Sequence, residues 1–301
     1  MASAANDLFI PAAERVSLAL GGGLGAILIL ERHRLRTVAR STLFVRWRTW
    51  LVTAPVFGAA IMWSRWVTLG FAVGLAIVAA REYGRLTDLD RTTMLATQCV
   101  VVVLPTIAAL DPVAWRVALP YALLAMTALP IVRADTTQGP RQVAFASLGA
   151  VYIGASLAFM LQLRSLDGGP AILLALGTAV AVSDVAAFVT GKVLGSRPLA
   201  FRLSPAKTWE GALGNVVGAY AGFALMAVVV PASLTPVIRA LLPLTIAIGC
   251  VWGDLFESLL KRSAGVKDAG SWIPGFGGLL DRIDSLLFAL PLSCAVLEML
   301  G

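Results

Sequence analysis

The residues equipped for chemistry crowd into one stretch, Asp254 to Asp284, which reads DLFESLLKRSAGVKDAGSWIPGFGGLLDRID. It brings Asp254, Glu257, Asp268, Asp281 and Asp284 together with Lys261, Arg262, Lys267 and Arg282. Asp254, Glu257, Ser258 and Lys261 fall at i, i+3, i+4 and i+7, which on a helix is one face. Asp281 and Asp284 are three apart and would share a face at the start of the next helix. Between them, Pro274-Gly275-Phe276-Gly277-Gly278 offers a backbone whose N–H groups can approach an anion closely. Carboxylates suit a divalent cation, while lysines and bare amides suit phosphate. Together they describe a nucleoside-triphosphate site of the Mg²⁺ kind. Charge runs are commonly solvated faces, but a solvated face needs neither the glycine loop nor the ordered spacing.

A second polar cluster precedes this one. Asp184 lies inside an apolar segment, where a charged side chain costs roughly 2.5–3.5 kcal/mol to insert. Such a residue is expected to face the bundle interior; pairing with a neighbouring helix is its plainer explanation. With Phe188 and Gly191 it marks one helical face that leads into a loop. Ser204-Pro205-Ala206-Lys207-Thr208-Trp209-Glu210-Gly211 then opens another apolar helix. Thr208 and Glu210 could be no more than a helix cap. Ser204, Lys207 and Thr208 also suit a phosphate or nucleotide at a helix N-terminus.

These residues carry a resemblance. The first stretch is similar to the C-terminal signature of the phosphatidate cytidylyltransferases (CDP-diacylglycerol synthases). There Ser-x-x-Lys-Arg is followed after four residues by Lys-Asp, then by a Pro-Gly-His-Gly-Gly loop and Asp-Arg-x-Asp. The positions here are Ser258, Lys261, Arg262, Lys267, Asp268, Pro274, Gly275, Gly277, Gly278, Asp281, Arg282 and Asp284, with Phe276 where the family commonly has His. The family's Ser-Pro-x-Lys-Thr-x-Glu-Gly is matched at every fixed position from Ser204 to Gly211. Its Asp-x-x-Ala-Tyr-x-x-Gly is matched by Asp184, Ala187, Phe188 and Gly191, with Phe in place of Tyr. The likeness runs over roughly residues 41–300 in order and hydropathy and is specific from about 184 to 285.

The resemblance implies an enzyme of phospholipid biosynthesis that transfers CMP from CTP to phosphatidate, giving CDP-diacylglycerol and pyrophosphate. It implies Asp254 and Asp281 as principal metal ligands, with Lys261 and Asp284 completing the catalytic set. Substrate contacts are implied for Asp184, Ser204, Lys207, Thr208, Ser258, Arg262, Lys267, Asp268, Gly275, Gly277, Gly278 and Arg282. Mg²⁺ is the implied cofactor, with a second cation admissible. CTP, a lipid phosphate and membrane lipid are the implied partners, together with a second copy of the chain as a homodimer. The chemistry is consistent with this: a lipid phosphate is already anionic at neutral pH, so its attack needs no histidine base. The difficulty is bringing two anions together, which cations and cationic side chains ease.

The elements that must position these residues are written in the composition. Of 301 residues, 58% are hydrophobic and 14% charged, against roughly 45–50% and about 25% in soluble domains. The chain is expected to be an all-α, multi-pass membrane protein. Ten apolar segments can be drawn, at about 10–30, 49–63, 66–80, 94–110, 113–132, 143–161, 170–190, 211–231, 238–260 and 285–300. The first lacks a basic leader and an Ala-x-Ala cleavage site, and reads as a retained helix. An extra N-terminal helix and basic loop (1–40), earlier and middle helices (41–169) and a catalytic region (170–301) follow as the expected organisation. Loops 31–48, 81–92, 133–142, 191–210 and 261–284 carry all of the 24 Lys/Arg except Arg15, Arg65, Arg116, Arg164 and Arg239. By the positive-inside rule these loops face the cytoplasm, which places both polar clusters on that side of the inner (plasma) membrane. The net charge of +7 is then a topology signal and needs no nucleic acid.

Other residues read more plainly. Cys99, Cys250 and Cys294 lie in apolar runs without metal-ligand spacing and read as small buried hydrophobes. His33, the only histidine, sits in a basic loop, so Ser-His-Asp and Cys-His chemistry are excluded. Trp47, Trp50, Trp63 and Trp66 read as interfacial anchors. Gly211, Gly214, Gly218 and Gly222 read as a close-packing stripe. On residues alone, two other functions stay open. One is a nucleotidyltransferase with another lipid-phosphate acceptor. The other is a transporter, although the polar residues gather near one end of the chain and not in two repeated halves.

Overall fold

The computed structural model describes residues 10–18, 21, 42–266, 269–270 and 277–301. Lys267, Asp268, Gly275 and Phe276 lie outside the described residues, as does most of the expected first helix, of which 10–18 are helical. The chain continues as α1 (Thr42–Met62), α2 (Arg65–Leu86), α3 (Arg91–Leu110), α4 (Ala114–Val132), α5 (Gly139–Ser165) and α6 (Gly169–Leu194). A hairpin of β1 (Pro198–Ala200) and β2 (Ser204–Thr208) leads into α7 (Trp209–Leu225), α8 (Pro236–Ser263) and α9 (Leu280–Leu300).

Seven of these helices, α2 to α6, α8 and α9, are long and apolar enough to cross a membrane. The apolar part of α1 is shorter, Leu51–Met62. In hydrocarbon every backbone N–H and C=O must find a partner within its own segment, which is why these apolar runs are helices. Polar caps end several of them: Ser64, Asp90, Thr208 and Thr235 each accept a hydrogen bond from the first turn of the next helix. The all-α architecture holds, with one short hairpin between helices among the described residues. The hairpin is antiparallel, pairing Pro198 with Thr208 and Ala200 with Ser204. Ser204 to Thr208 is therefore strand, and the helix it was expected to open begins at Trp209.

The helices alternate in direction, so the loops sort to two ends. At one end Gln142 Nε2 donates to Asp88 O at 3.0 Å, Arg133 Nη2 to Thr92 Oγ1 at 3.0 Å and Arg262 Nε to Leu203 O at 3.3 Å. At the other, Arg65 Nη1 donates to Ala109 O at 2.6 Å, Arg164 Nε to Thr68 Oγ1 at 2.8 Å, and Arg116 pairs with Glu298. Among the described residues the basic loops 81–92, 133–142, 191–210 and the start of 261–284 thus share one end, and Arg65, Arg116 and Arg164 the other.

The glycine stripe packs as expected. Cβ atoms on Gly218 and Gly222 would lie 2.7 Å from Ser183 Cα and Ala179 Cα, so α7 lies backbone to backbone on α6. Cys250 and Cys294 are buried, but Cys99 is exposed on α3, because its face of that helix points out of the bundle. Trp63 and Trp66 are 80% and 58% exposed, as interfacial anchors would be.

Candidate active site

The site is built where α8 crosses α9. A Cβ on Gly253 would stand 2.3 Å from Asp284 O, and one on Gly249 would stand 2.8 Å from Ala289 Cα. The two small positions, one helical turn apart, let the backbones touch. That contact sets Asp254 beside Asp284, close enough for their carboxyls to share a hydrogen bond. Asp284 is buried, at 4% exposure, while the Asp254 side chain is 49% exposed. Asp184 of α6 joins them. It interacts with Asp254, Lys207 and Arg282, and the Ser285 hydroxyl hydrogen-bonds to it. Asp184 is nevertheless solvent-accessible, so the three carboxylates form a cluster that runs from the buried Asp284 to the surface. Lys207 Nζ reaches Asp254 Oδ2 at 2.8 Å, an ionic contact without a well-directed hydrogen bond.

The hairpin and the first turn of α7 deliver Lys207. Thr208 Oγ1 caps Gly211 N at 3.1 Å, and Trp209 N donates to Arg197 O at 3.0 Å. Glu210 turns away from the cap to accept from Ser196 Oγ at 2.6 Å, Ser196 N at 3.1 Å and Arg197 N at 3.3 Å. The Ser196 hydroxyl, its own amide and those backbone donors hold its carboxyl down to about 2. The first amides of α7 are therefore taken internally. What this turn offers an anion is the Lys207 ammonium and not the helix terminus.

A second group lies one turn further along α8. Lys261 Nζ bridges Glu257 Oε2 at 2.5 Å and Asp281 Oδ1 at 2.7 Å. Asp281 Oδ2 accepts from Gly278 N at 2.7 Å and Ala269 N at 3.1 Å. Asp281 thus ties Lys261 to both edges of the glycine loop. The carboxylates that interact with Asp254 include Asp284 and Asp184, while Asp281, the other expected metal ligand, is paired with Lys261. Asp281 and Asp284 are three apart on α9, yet they serve different partners.

Two site residues were missed in the sequence. Glu82, near the end of α2 and 3% exposed, accepts from Leu279 N at 3.0 Å and Leu280 N at 2.7 Å. It caps α9 from another helix and opposes the positive end of that helix's dipole. Cβ atoms on Gly270 or Gly278 would meet its carboxyl at 2.6 and 2.5 Å, so glycine at these two positions lets the backbone approach it closely. The available signal was the absence of Ser, Thr, Asp or Asn just before Leu280, which left the α9 amides needing an acceptor from elsewhere. The second is Tyr152, on a π-helical turn of α5 spanning Ala150–Ala155. Its ring packs edge-on against Phe256 at 4.9 Å, and its buried hydroxyl, within electrostatic reach of Asp284, Glu257 and Asp254, has no hydrogen-bond partner among the described residues. Such turns recur at functional sites. The region expected at 170–301 therefore borrows from 41–169.

The remaining expected residues are less central. Ser258 is buried on the α8 face. Arg262 ties the end of α8 to the hairpin turn and to Val266 O. Ser204 pairs in β2, and Gly277 takes φ 80°, a left-handed conformation that favours glycine.

A cation fits this donor set. Two carboxyls within hydrogen-bonding range require a proton or a cation between them, and oxygen-only donors suit a hard divalent ion. Among the described residues no three His, Cys, Asp or Glu side chains form a ready metal cage. Mg²⁺ typically takes one or two carboxylates and completes its shell with waters and substrate phosphates.

Comparison with known proteins decides the family. A sequence model described as "Cytidylyltransferase family" matches residues 44–300. The chain belongs to the cytidylyltransferase family. A phosphatidate cytidylyltransferase of Thermotoga maritima is 39% identical over 55% of this chain and 63% of its own length. One from Brucella suis is 32% identical over 81% of this chain and 91% of its own. An uncharacterized Escherichia coli protein, YnbB, is 29% identical over 82% and 84%. The matched region takes in both polar clusters, Glu82 and Tyr152. Its helices give this family member a multi-pass membrane scaffold.

Proposed function

We propose that this cytidylyltransferase acts on phosphatidate, forming CDP-diacylglycerol and pyrophosphate. The observation that carries this is the cluster of Asp184, Asp254 and Asp284 with Lys207 paired to Asp254, set at one end of a membrane-embedded bundle. A lipid phosphate at the headgroup level and a soluble nucleotide can both reach that position. The relatives named for phosphatidate support the choice of acceptor.

A phosphatidate oxygen attacks the α-phosphorus of CTP, and the bond to the β-phosphate oxygen breaks as pyrophosphate leaves. No group need take a proton from the nucleophile. Asp254 and Asp284, with Asp184 beside them, would hold Mg²⁺ and admit a second cation; the ion supplies charge neutralisation for the two anionic substrates. Lys207 binds phosphate from the nucleotide or lipid. Asp281 and Glu257 hold Lys261 in place, and Lys261 adds positive charge near the start of α9. Lys267, Asp268 and Gly275, which lie outside the described residues, are the remaining candidates for substrate contact. Glu82 fixes the start of α9, and Tyr152 presents a hydroxyl toward the carboxylates.

The basic end faces the cytoplasm of the inner membrane, as the positive-inside rule supports. With residues 10–30 and the shorter helices included, about ten segments cross. A homodimer is the assembly that the resemblance supports.

The test is a detergent-micelle assay of purified protein with phosphatidate, radiolabelled CTP and Mg²⁺. It follows label into lipid and pyrophosphate into solution, with Asp254→Asn and Asp284→Asn alongside. Lipid label from wild type alone is expected. No lipid product from folded, CTP-binding protein would sink the phosphatidate assignment.

A further inference from the structure

At the end of the bundle opposite Asp254, residues Arg65, Ala108, Ala109, Leu161, Arg164 and Ser165 line a cavity of about 290 Å³. Arg65 begins α2 and Arg164 nearly ends α5, so the two charges arrive on separate helices. Each is pinned through one edge: Arg164 Nε donates to Thr68 Oγ1 at 2.8 Å, and Arg65 Nη1 to Ala109 O at 2.6 Å. Thr68 is fully buried and its hydroxyl donates to Ala60 O at 2.7 Å, so this support is rigid. The Arg65 guanidinium also lies 5.6 Å from the Trp66 ring.

A guanidinium has five N–H donors, and one is used here in each case. Among the described residues no carboxylate forms an ion pair with either arginine. The two stand close enough for their charges to repel. Tying helix ends together would need only the Thr68 and Ala109 bonds. Converging two unneutralised guanidiniums on one cavity costs free energy that an anion between them would recover. Planar N–H forks match the oxygens of phosphate. The depth agrees: exposed Trp63 and Trp66 mark a membrane–water interface at the start of α2.

We propose that Arg65 and Arg164 form a phosphate-binding site on the face opposite the carboxylate cluster. The ligand is a phosphate anion, either the headgroup of a membrane phospholipid or free inorganic phosphate.

Two assays separate these sources. Native mass spectrometry of protein released from phosphatidylglycerol nanodiscs counts retained lipid, and equilibrium dialysis against radiolabelled orthophosphate measures free anion. The Arg65→Gln/Arg164→Gln variant should lose about tenfold in occupancy in one assay, as expected for losing charge-assisted hydrogen bonds. Its CTP turnover should stay within about twofold of wild type. Loss of retained lipid identifies a headgroup, and loss of orthophosphate alone a free anion. In case the variant fails to fold, wild-type protein is treated with phenylglyoxal, and modification of Arg65 and Arg164 is read by peptide mass spectrometry. Protection by orthophosphate or phosphatidylglycerol is expected. Equal occupancy in variant and wild type, or equal modification with and without these ligands, overturns the proposal.

Discussion

Replacing Gly253 by alanine tests the helix crossing that assembles the site. The added Cβ would stand 2.3 Å from Asp284 O, 2.7 Å from Asp284 C and 3.0 Å from Ser285 Cα, where ordinary contact begins at 3.4 Å. The neighbours are backbone and have no rotamer to adopt, so α8 and α9 must part locally by about 1 Å. Asp254 and Asp284 ride on opposite sides of that contact. A displacement of about 1 Å between groups that must align substrates costs on the order of 10²-fold in rate, while overpacking costs about 1–3 kcal/mol of stability. Turnover of CTP with phosphatidate in micelles should therefore fall about 100-fold, with a modest drop in Tm. Gly74→Ala in α2 is the control, since a Cβ there meets nothing within 4 Å; its activity should match wild type. Wild-type turnover from Gly253→Ala would refute the claim that this crossing aligns the carboxylates.

Asp254→Asn should remove Mg²⁺-dependent turnover while leaving Tm nearly unchanged, because the side chain is half-exposed. Asp281→Asn should lose both, since breaking a buried ion pair costs about 3–5 kcal/mol; the same Tm for both variants would show that the two carboxylates do not divide the work as described. Glu82→Ala should lower Tm through loss of the α9 cap, worth about 1 kcal/mol, with Glu82→Gln recovering part of it; a thermal-shift measurement decides. The Glu210 carboxyl is held down to about 2, so its hold on the hairpin is complete above the usual carboxylate range and is lost only as pH falls through about 2. Amide exchange at residues 196–203, normalised for intrinsic rates, should stay slow at pH 4 in wild type and speed up in Glu210→Gln. Equal exchange in the two proteins at that pH would remove the anchor.

The helices were legible because hydrocarbon leaves the backbone few choices. The run expected at 113–132 is the helix Ala114–Val132, and 94–110 is Arg91–Leu110. Hydropathy stopped short where hydrogen bonding continues into polar residues: 143–161 became Gly139–Ser165, and 238–260 became Pro236–Ser263. The hairpin was illegible, since Ser204 to Thr208 contains a proline and a lysine and shows no alternation of apolar residues. In the site, residue types could be read from the stretch itself, but partners could not. Whether Asp254 meets Asp281 or Asp284 depends on where α8 touches α9, and Gly249 and Gly253 decide that. Glu82 lies far from the motif in sequence and reaches it only through the packing of α2 against α9.

The π-helical turn in α5 fixes the length of that helix in a way no loop is fixed. Before it, Gly139–Gly149 packs on α2, α3 and α4; after it, Ser156–Ser165 keeps α2 and α3, leaves α4 and packs on α6 and α9. The turn accommodates the change of face. Each residue inserted or deleted within Ala150–Ala155 would rotate one half against the other by about 100°. Tyr152 lies within electrostatic reach of Asp284, Glu257 and Asp254, while Gln162, bound to Trp115 and Glu298, and Arg164, bound to Thr68, serve the far end. A single-codon insertion there would misdirect one end of the molecule or the other. Through this one helix the two ends of the bundle are kept in register.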